Sequence, residues 1–583
     1  ISGTGVKSLA ANLPAMYAKN ITNGRILVTS ATLDLGTYTA NRGTTVVGGE
    51  INVYNGATLK IGGTSNFPAN FATRTFGTSS LVEYNGTDQT ISGQAYGNLL
   101  FSTAGIKTAT TAFSTSGNFT ITNGTFNMNA TAVTHSIAGN FTMTGGTITG
   151  TAYNITMNGT VNQTLTVPVT LYKLTINNTG GNVDLGADIT VSNTLTFTKG
   201  NIKTASYNVI MPSTAAISGA AQSTGWVNGN LQKNVTTGSS IYRTFEVGET
   251  SYAPVMILFA NVAIAGDLTV IAKSTDHSEI NYSGLDPAKD VNLNWSFDNS
   301  GILFTSASAT FNWDAADLDA GATTASFKAG SFNGTSWTMP AVNSPLATSI
   351  QVTGITSLGD FSIGEKIGKS TWTGDAMTSD WFTAKNWLGL VPAATDPTLI
   401  PNGITGGRVY PVITSGTAIV SDLTVEASAT LTVSSGTLKI AGALMSISNV
   451  TAADGTIEFN GSSAQTIAPG SFVNNIIKNL VVSNDLSMPD VNIITGTLSV
   501  STGKTLTTND NLVLRSDANG TASVATLPTD GSGNAAAYIT GNVSIERYIP
   551  ARKAWRLLSA PIQSASTATI EQSWQEAAYS APS

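Results

Sequence analysis

The sequence contains no cysteine, and only 10% of its 583 residues are charged. Without thiols the chain has no thiolate nucleophile, no cysteine-ligated zinc and no disulfide. Ordinary soluble domains carry about 25% charged residues. Here threonine, serine, asparagine and 58 glycines replace the missing charge, while the apolar fraction is 41%. The composition therefore predicts an uncharged polar surface over a long core that is held by repetitive backbone hydrogen bonding.

Long apolar segments and basic clusters are equally scarce. The longest apolar run, APVMILFANVAIAG from Ala253, is interrupted by Pro254 and Asn261, and it is too short to cross a bilayer. We interpret it as a buried strand. The only basic cluster comprises Arg547, Arg552, Lys553 and Arg556. A nucleic-acid binder would show a basic stripe, so the cluster favours ordinary strand-edge solvation. The sequence predicts neither a nucleic-acid partner nor a membrane span.

A short alternating phrase recurs along the chain. SGNFTITNGTFNMN, residues 116–129, is followed by AGNFTMTGGTITG, residues 138–150, at an interval of 22 residues. Apolar Phe119 and Ile121 alternate with threonines, which is the period of a β-strand, and TNG supplies a turn. Short strands recurring at this interval predict the rungs of a parallel β-helix. We expect Phe119 and Phe141 to occupy equivalent inward positions one rung apart.

The sequence also contains a second repeat with a longer interval. VEYNGTDQTISG from Val82, ITMNGTVNQTLTV from Ile155 and IEFNGSSAQTIAPG from Ile457 share Asn-Gly followed by Gln-Thr. GWVNGNLQKNV from Gly225 and AYITGNVSIERYI from Ala537 share a Gly-Asn strand. The same order of modules therefore occurs twice, a solenoid followed by a Gly-Asn strand that opens a different module.

The fold class predicted from these patterns is all-β, with parallel β-helix segments alternating with an antiparallel Ig-like β-sandwich. Longer apolar strands separated by regular turns indicate the sandwich. Trp372, Trp381 and Trp387, followed by prolines, predict an aromatic cap on an open solenoid end. The predicted domains are a β-helix (1–225), a β-sandwich (226–367), a Trp-rich lead-in or cap (368–404), a second β-helix (405–535) and the start of a further sandwich-like module (536–583).

Acidic residues concentrate in one segment. Residues 276–319 carry eight acids and one base, Lys289, and their net charge of −7 equals that of the whole chain. NWDAADLDAG presents Asp314, Asp317 and Asp319 as closely spaced oxygen ligands that calcium could use, although the regular ligand positions of an EF-hand loop are missing. A solvated acidic turn is the favoured interpretation and calcium is the alternative, so no metal ligand is assigned from the sequence.

Parallel β-helices also carry polysaccharide lyases and glycosidases, whose chemistry needs clustered carboxylates. Two pairs of acids are close in sequence, Glu83 with Asp88 and Asp184 with Asp188, and neither pair has a neighbouring histidine. His135 lies in a rung, where we expect an outward polar residue. The sequence therefore assigns no catalytic and no cofactor-binding residue.

Two further residues have alternative interpretations. His277 lies between Asp276 and Glu279, which is compatible with a metal or acid–base site but favours a solvated turn. NGTSW, residues 333–337, places Trp337 beside a turn, where it could stack on a sugar. A tryptophan in such a position is more often packed against its own sheet, and we favour that interpretation.

The segment WTGDAMTSDWFTAKNWLGLVPAATDPTLIP resembles the lead-in of very large secreted surface proteins of the Bacteroidota. TFEVGETSYAPVMI, DFSIGE and VSIERYIPARKAWRLLSAPI resemble module edges of the same proteins. The resemblance implies cargo of the type IX secretion system, an extracellular or outer-surface location and an adhesin-like role. Its C-terminal sorting domain is not visible, and the last residues, SWQEAAYSAPS, stop partway into a module. We therefore expect a fragment of a longer protein.

The function predicted from the sequence is a non-enzymatic secreted or cell-surface stalk or adhesin-like repeat protein. The expected partners are the secretion machinery during export, and glycans or other surface proteins afterwards. No cofactor is predicted, apart from the calcium alternative. A β-helix polysaccharide lyase or glycoside hydrolase is the alternative function. A third interpretation is export cargo observed together with its machinery.

Overall fold

A computed structural model describes residues 1–128, 133–343, 345–527 and 538–550. The described residues form 57 strands and four short 3₁₀ helices, so the predicted all-β class is confirmed. The chain divides into two compact units, Ile1–Lys366 and Ile367–Ser583. Within the described ranges, no helix is long and apolar enough to span a membrane.

The first part of unit 1 is a parallel β-solenoid. Its strands are β1 Val6–Ser8, β2 Arg25–Val28, β3 Thr32–Asp34, β4 Glu50–Val53, β5 Thr58–Ile61, β6 Thr73–Phe76, β7 Leu81–Tyr84, β8 Gln89–Ile91, β9 Ala95–Tyr96, β10 Asn98–Phe101, β11 Ile106–Ala109, β12 Ser114–Thr115, β13 Phe119–Ile121, β14 Thr125–Asn127, β15 Thr134–Ile137, β16 Phe141–Met143, β17 Thr147–Thr149, β18 Asn154–Met157, β19 Gln163–Thr166, β20 Thr170–Asn177, β21 Val183–Leu185, β22 Ile189–Lys199, β23 Ile202–Met211 and β24 Ala216–Ser218. Every second residue of most of these strands is buried, as the alternating sequence predicts.

Strands of successive rungs pair in parallel to form the faces of this solenoid. One face runs through β1, β3, β5, β7, β10, β13, β16, β19, β21 and β23. A second contains β9, β12, β15, β18, β20, β22 and β24, and shorter stacks contain β2, β4 and β6, and β8, β11, β14 and β17. Phe119 pairs in register with Phe141, and their buried rings stack with centroids 4.8 Å apart. The expected inward positions one rung apart are confirmed.

Asparagine side chains join one rung to the next. The side-chain oxygen of Asn98 accepts the backbone N–H of Asn118 at 2.8 Å, 20 residues later. Asn118 in turn accepts the N–H of Asn140 at 2.9 Å, across 22 residues. Aspartates do the same in unit 2, where Asp485 accepts the N–H of Thr505 at 2.9 Å. Asparagine and aspartate side chains thus satisfy backbone donors between rungs.

The Asn-Gly…Gln-Thr motif marks a buried glutamine bridge. Gln163 accepts the N–H of Gly159 at 2.8 Å, and its amide nitrogen donates to two carbonyls of the preceding rung at 2.9 and 2.6 Å. Gln89 and Gln465 make the same three kinds of contact. All three glutamines are buried. The longer repeat therefore encodes a buried glutamine whose hydrogen bonds connect its rung to the preceding rung, in both units.

The second part of unit 1 is antiparallel. Its elements are β25 Val227–Val235, β26 Gly238–Phe245, β27 Val255–Ile264, β28 Gly266–Lys273, η1 Ile280–Tyr282, β29 Leu285–Ser300, β30 Leu303–Phe304, β31 Ala307–Asn312, η2 Ala315–Asp317, η3 Thr324–Ser326, β32 Phe327–Phe332, β33 Trp337–Thr338, β34 Ser349–Ile355 and β35 Asp360–Lys366. One sheet contains β25, β28, β29, β35, β32 and β33, and the other contains β26, β27, β31 and β34, with β30 beside β27.

The two antiparallel sheets enclose one apolar core. Phe311 of β31 packs against Trp295 of β29 and Phe361 of β35, with ring centroids 5.0 and 5.1 Å apart. The segment predicted as a sandwich is thus antiparallel, while its Ig-like topology is not confirmed. Strand β25 pairs in parallel with β23 of the solenoid and antiparallel with β28. The solenoid and antiparallel parts therefore share one continuous hydrophobic cluster.

Unit 2 is a second parallel solenoid. Its elements are β36 Ser370–Trp372, η4 Ala384–Asn386, β37 Trp387–Leu388, β38 Thr398–Ile400, β39 Val412–Ile413, β40 Thr417–Val420, β41 Leu423–Val425, β42 Leu431–Val433, β43 Thr437–Ile440, β44 Leu444–Met445, β45 Val450–Phe459, β46 Gln465–Thr466, β47 Phe472–Val482, β48 Leu486–Ser487, β49 Asn492–Ile494, β50 Thr497–Val500, β51 Leu506–Thr507, β52 Leu512–Leu514, β53 Ser516–Asp517, β54 Gly520–Thr521, β55 Ser523–Val524, β56 Ile539–Thr540 and β57 Val543–Ile545.

Three tryptophans lie at the first rung of this solenoid. Trp372, Trp381 and Trp387 are fully buried, and Trp387 packs edge-on against the other two with centroids 5.0 and 4.7 Å apart. Strand β36 pairs in parallel with β38, and β38 pairs in parallel with β41. The tryptophans therefore belong to the solenoid core, where they cover its first rung with large apolar side chains.

Candidate functional site

The acidic turn NWDAADLDAG forms a capped 3₁₀ helix. Asp314 accepts the N–H of Ala316 at 3.0 Å, and the carboxylate of Asp317 accepts the N–H of Asp314 at 2.9 Å and the hydroxyl of Ser251 at 2.8 Å. The side chain of Asp319 is held separately, by Asn292 at 3.0 Å. Local donors thus occupy all three residues of the acidic turn for which calcium was the less favoured interpretation, and this geometry does not favour calcium on that triplet.

A second acidic group lies beside this turn and centres on Asp290 of β29. Asp290 is fully buried, and neither of its carboxylate oxygens has a hydrogen-bond partner. Its backbone N–H donates to the carboxylate of Asp319 at 3.1 Å, and the N–H of Asp319 donates to the Asp290 carbonyl, also at 3.1 Å. Burial, and then the charges of Asp276 and Asp319, raise the pKa of Asp290 to about 9.

Asp276 completes this acidic group, which we call the Asp290 cluster (Asp276, Asp290 and Asp319). One oxygen of Asp276 is buried without a hydrogen-bond partner, and burial followed by the charge of Asp319 raises its pKa. Sequence reasoning missed Asp290 as a site residue. Val291 and the apolar residues that follow it alternate as inward positions of a strand, and this pattern places position 290 on the outer face. The pairing of β29 with β35 shifts register on both sides of Asp290, and Asp290 is buried. Across the described ranges, no group of three or more His, Cys, Asp or Glu side chains is already arranged to hold a metal ion.

His277 lies in a packed aromatic corner. Its Nδ1 accepts the N–H of Glu279 at 3.1 Å, so Nε2 carries the proton and donates to Asp360 at 3.1 Å. The ring packs against Phe332 and Trp337, with centroids 5.1 and 4.9 Å away. The solvated turn favoured from the sequence is therefore wrong for His277, since 90% of its side-chain surface is covered. Trp337 is buried against its own sheet, as the favoured interpretation had it.

His135 faces inward, and the expectation of an outward polar residue is wrong. It is fully buried in β15, in register with Ile155 of the next rung. Its ring lies on Phe113, with centroids 4.2 Å apart. Nδ1 accepts the N–H of Phe113 at 3.4 Å, while Nε2 has no partner. Burial lowers the pKa of His135 to about 4, so the residue is neutral in the folded chain at pH 7. Alternation with buried Ile137 was the signal for its inward position.

The acid pairs considered for catalysis join neighbouring rungs. Glu83 forms an ion pair with Lys60 at 2.9 Å and accepts the hydroxyl of Ser102 at 2.7 Å. Asp88 accepts the N–H of Ile106 at 2.8 Å. Asp188 is exposed and accepts the N–H of Asn208 at 2.7 Å. Glu83 and Asp88 lie on different faces of the solenoid, so the structure does not bring this pair together.

Asp184, the last of these acids, lies in β21. It pairs in register with Thr164 of the preceding rung and Lys203 of the following one. Its neighbour in sequence, Asp188, follows the end of that strand by three residues and bonds to a later rung. Neither acid pair is accompanied by a histidine, because His135 is inside the core and His277 lies in the antiparallel part.

A polar groove of about 300 Å³ crosses one outer face of the first solenoid. It spans β15, β18, β20 and β22, where outward threonines repeat from rung to rung. Its lining residues are Thr134, Ala152, Asn154, Lys173, Thr175, Thr194 and Thr196. The groove offers hydroxyl and amide hydrogen bonds and one positive charge, which suits a neutral, hydroxyl-rich ligand.

Lys107 is a buried cation that no pattern in the sequence predicts. Its amino group donates to four backbone carbonyls at 2.7–3.2 Å, including those of Gly86 and Thr87 in the preceding rung. Burial lowers its pKa. The lysine thus occupies the rung after the Gln89 bridge and ties two turns together. Of the basic cluster predicted to be strand-edge residues, Arg547 is exposed, and its other three members lie outside the described residues.

Comparison with protein-family models, with curated proteins and with solved structures finds no match to this chain.

Proposed function

We propose that the chain is a non-enzymatic stalk or adhesin-like repeat segment of a secreted or cell-surface protein. The observation that carries the proposal is the same hydrogen-bonded cassette built in both units. In unit 1, Lys60 pairs with Glu83 at 2.9 Å, and Ser102 donates to the same carboxylate. In unit 2, Lys439 pairs with Glu458 at 2.9 Å, and Ser483 donates to that carboxylate at 2.9 Å.

Each cassette also includes its glutamine bridge, so both units devote polar residues to holding rungs together. A spacer gains reach with every added copy, whereas an enzyme needs its scaffold once. The use of Glu83, Asp88 and Asp188 in contacts between rungs supports this proposal over the alternative of a polysaccharide lyase or glycoside hydrolase. Because many hydrogen bonds lie side by side along each solenoid, a load is shared among them.

The location and partners follow from the resemblance to secreted Bacteroidota surface proteins and belong to the same proposal. In it the chain passes through the type IX secretion machinery and then acts outside the cell. The threonine-lined groove on β15, β18, β20 and β22 would be the contact for glycans or for other surface proteins. Its hydroxyl groups suit sugars better than they suit an apolar or strongly charged partner.

The test uses the parent surface protein with and without residues 1–366. We expect the deletion to shorten the projection seen by electron microscopy of whole cells, while export continues. The purified chain should leave plant, algal and host polysaccharides intact. An unchanged projection would contradict the stalk, and polysaccharide turnover that Asp184→Asn or Asp188→Asn abolishes would establish the enzyme instead.

A further inference from the structure

A pocket of about 420 Å³ lies on the outer face of the antiparallel sheet that contains β26, β27 and β31. Met256 of β27 and Asn312 of β31 point to this face, because the residues on either side of each are buried. Thr244 of β26 pairs in register with Met256 and shares its face. Tyr252, from the turn between β26 and β27, and Thr348, just before β34, complete the wall. The volume falls in the range of about 300–1,000 Å³ that is usual for small-ligand pockets.

Three polar side chains in the lining are each held by one atom and leave another atom without a partner. Oε1 of Gln222 accepts the N–H of Tyr252 at 2.7 Å, and Nδ2 of Asn312 donates to the Pro254 carbonyl at 3.0 Å. Oδ1 of Asp314 accepts a backbone N–H at 3.0 Å. The amide nitrogen of Gln222, Oδ1 of Asn312 and Oδ2 of Asp314 bond to none of the described residues. The pocket thus presents one donor and two acceptors on side chains that are already oriented.

The rest of the lining is mostly apolar. The Tyr252 ring is half-buried, with its centroid 6.0 Å from that of Trp226, and Pro254 and Met256 line the same pocket. Trp313 also belongs to the lining, and its indole N–H is buried without an acceptor among the described residues. A buried donor without a partner requires an explanation, and an oxygen-bearing ligand or a water molecule in the pocket would supply the acceptor.

The charge of the pocket restricts the kind of ligand. Asp314 is an acid, and no lysine, arginine or histidine is among the described residues of the lining. Burial, and then the charge of Glu246, raise the pKa of Tyr252 to about 12, so its phenol stays protonated and can donate a hydrogen bond. Carboxylate or sulfate groups on a ligand would be repelled here, because like charges disfavour binding.

We propose that this site, the Tyr252 pocket, binds a neutral sugar unit of a glycan. The tyrosine ring, Pro254 and Met256 offer apolar surface to the C–H groups of a sugar, and the free atoms of Gln222, Asn312 and Asp314 suit its hydroxyl groups. The inference rests on the proposed adhesin-like function and names the ligand class. It adds a second contact to the threonine-lined groove, from which it differs by its aromatic wall and its negative charge.

The test measures retardation of the full purified chain in native gels that contain a polysaccharide. Mannan, laminarin and dextran are the neutral probes, and alginate and polygalacturonate are the acidic ones. The wild type should be retarded by at least one neutral probe and by neither acidic probe. Tyr252→Ala should weaken this binding about tenfold. Thr348→Trp should block it without removing a core contact, because position 348 is exposed and the larger side chain enters the pocket from its wall.

Lys173→Ala is the matched control, since it changes the threonine-lined groove and leaves the Tyr252 pocket intact. It should bind like the wild type, and melting curves should show that every variant is folded. The inference is refuted if no neutral probe retards the wild type, or if folded Thr348→Trp binds as tightly as the wild type. Binding that is lost in Lys173→Ala and kept in Tyr252→Ala would place the glycan in the groove, which would refute this site and leave the proposed function standing. The projection length after deletion of residues 1–366 tests the stalk independently of these results.

Discussion

Acidification should destabilise unit 1 through His135. The buried ring has a pKa of about 4, against 6.5 for the same group in an unfolded chain. Below pH 6.5 the unfolded chain therefore binds a proton at His135 that the folded chain does not bind. The free energy of unfolding consequently falls as the pH drops toward 4. A pKa difference of about 2.5 between the unfolded and folded chain corresponds to about 3 kcal/mol in the free energy of unfolding, and this contribution is fully lost below pH 4. No loss from this residue is expected above pH 7.

The direct assay is denaturant unfolding of unit 1 at a series of pH values, with His135→Phe as the comparison. The phenylalanine keeps an apolar ring beside Phe113 and cannot titrate, but it leaves the N–H of Phe113 without its acceptor. The variant should therefore be less stable than the wild type at pH 7, and residue 135 should add no pH dependence to its stability. The unfolding free energy of the wild type minus that of His135→Phe should fall by about 3 kcal/mol between pH 7 and pH 4.

The chain has only two histidines, which makes the control simple. His277→Gln should retain the pH dependence that His135 causes, because His277 lies in the antiparallel part and bonds to Asp360. An NMR titration of the His135 ring gives its pKa directly. A measured value near 6.5, or equal pH dependence in wild type and His135→Phe, would refute the reasoning.

Three further changes test how rungs are held together. Gln163→Ala removes four hydrogen bonds, one of them from Asn178, and should cost about 2–4 kcal/mol in denaturant unfolding. Thr160→Ala, at an exposed position three residues earlier, should change stability by less than about 0.5 kcal/mol. Equal effects of the two substitutions would contradict the bridge. Trp387→Phe should lower the free energy of unfolding by about 1 kcal/mol more than Trp381→Phe. Of these two indoles, only that of Trp387 donates a hydrogen bond, to the Trp381 carbonyl at 2.8 Å. The reverse order of the two effects would contradict a stabilising role for this hydrogen bond. Gly180→Ala places a Cβ 1.9 Å from the carbonyl oxygen of Thr160 in the preceding rung, so it should lower the melting temperature sharply. Gly368→Ala is the control, because its Cβ would meet no atom within 4 Å. An unchanged melting temperature for Gly180→Ala would show that the rungs can separate.

The sequence predicted those parts of the fold that follow from local alternation. Phe119 and Phe141 could be placed one rung apart because each phrase carries its own strand period and turn. The same alternation would have placed His135 inward, but its polarity argued for the surface, and the physical cost of a buried neutral imidazole is small enough for the core to accept it.

The candidate site was less predictable, because it depends on contacts between distant segments. Asp290 lies between two register shifts in the pairing of β29 with β35, and its contact with Asp319 spans 29 residues. Neither feature leaves a local pattern. The polar motif Asn-Gly…Gln-Thr was visible in the sequence, yet its meaning required the rung before it, since Gln163 bonds to carbonyls 24 and 26 residues away.

Strand β25 also determines where this protein can be shortened. It pairs with β23, the last strand of one face of the first solenoid, and also with β28 of the antiparallel sheet. A chain cut at residue 225 would leave the N–H and C=O groups of β23 unpaired along an open edge, which is a template for strand addition by another molecule. We expect such a fragment to associate end to end or aggregate, whereas one that retains β25 to β35 should stay monomeric. In this prediction the antiparallel part prevents association by occupying the edge of β23.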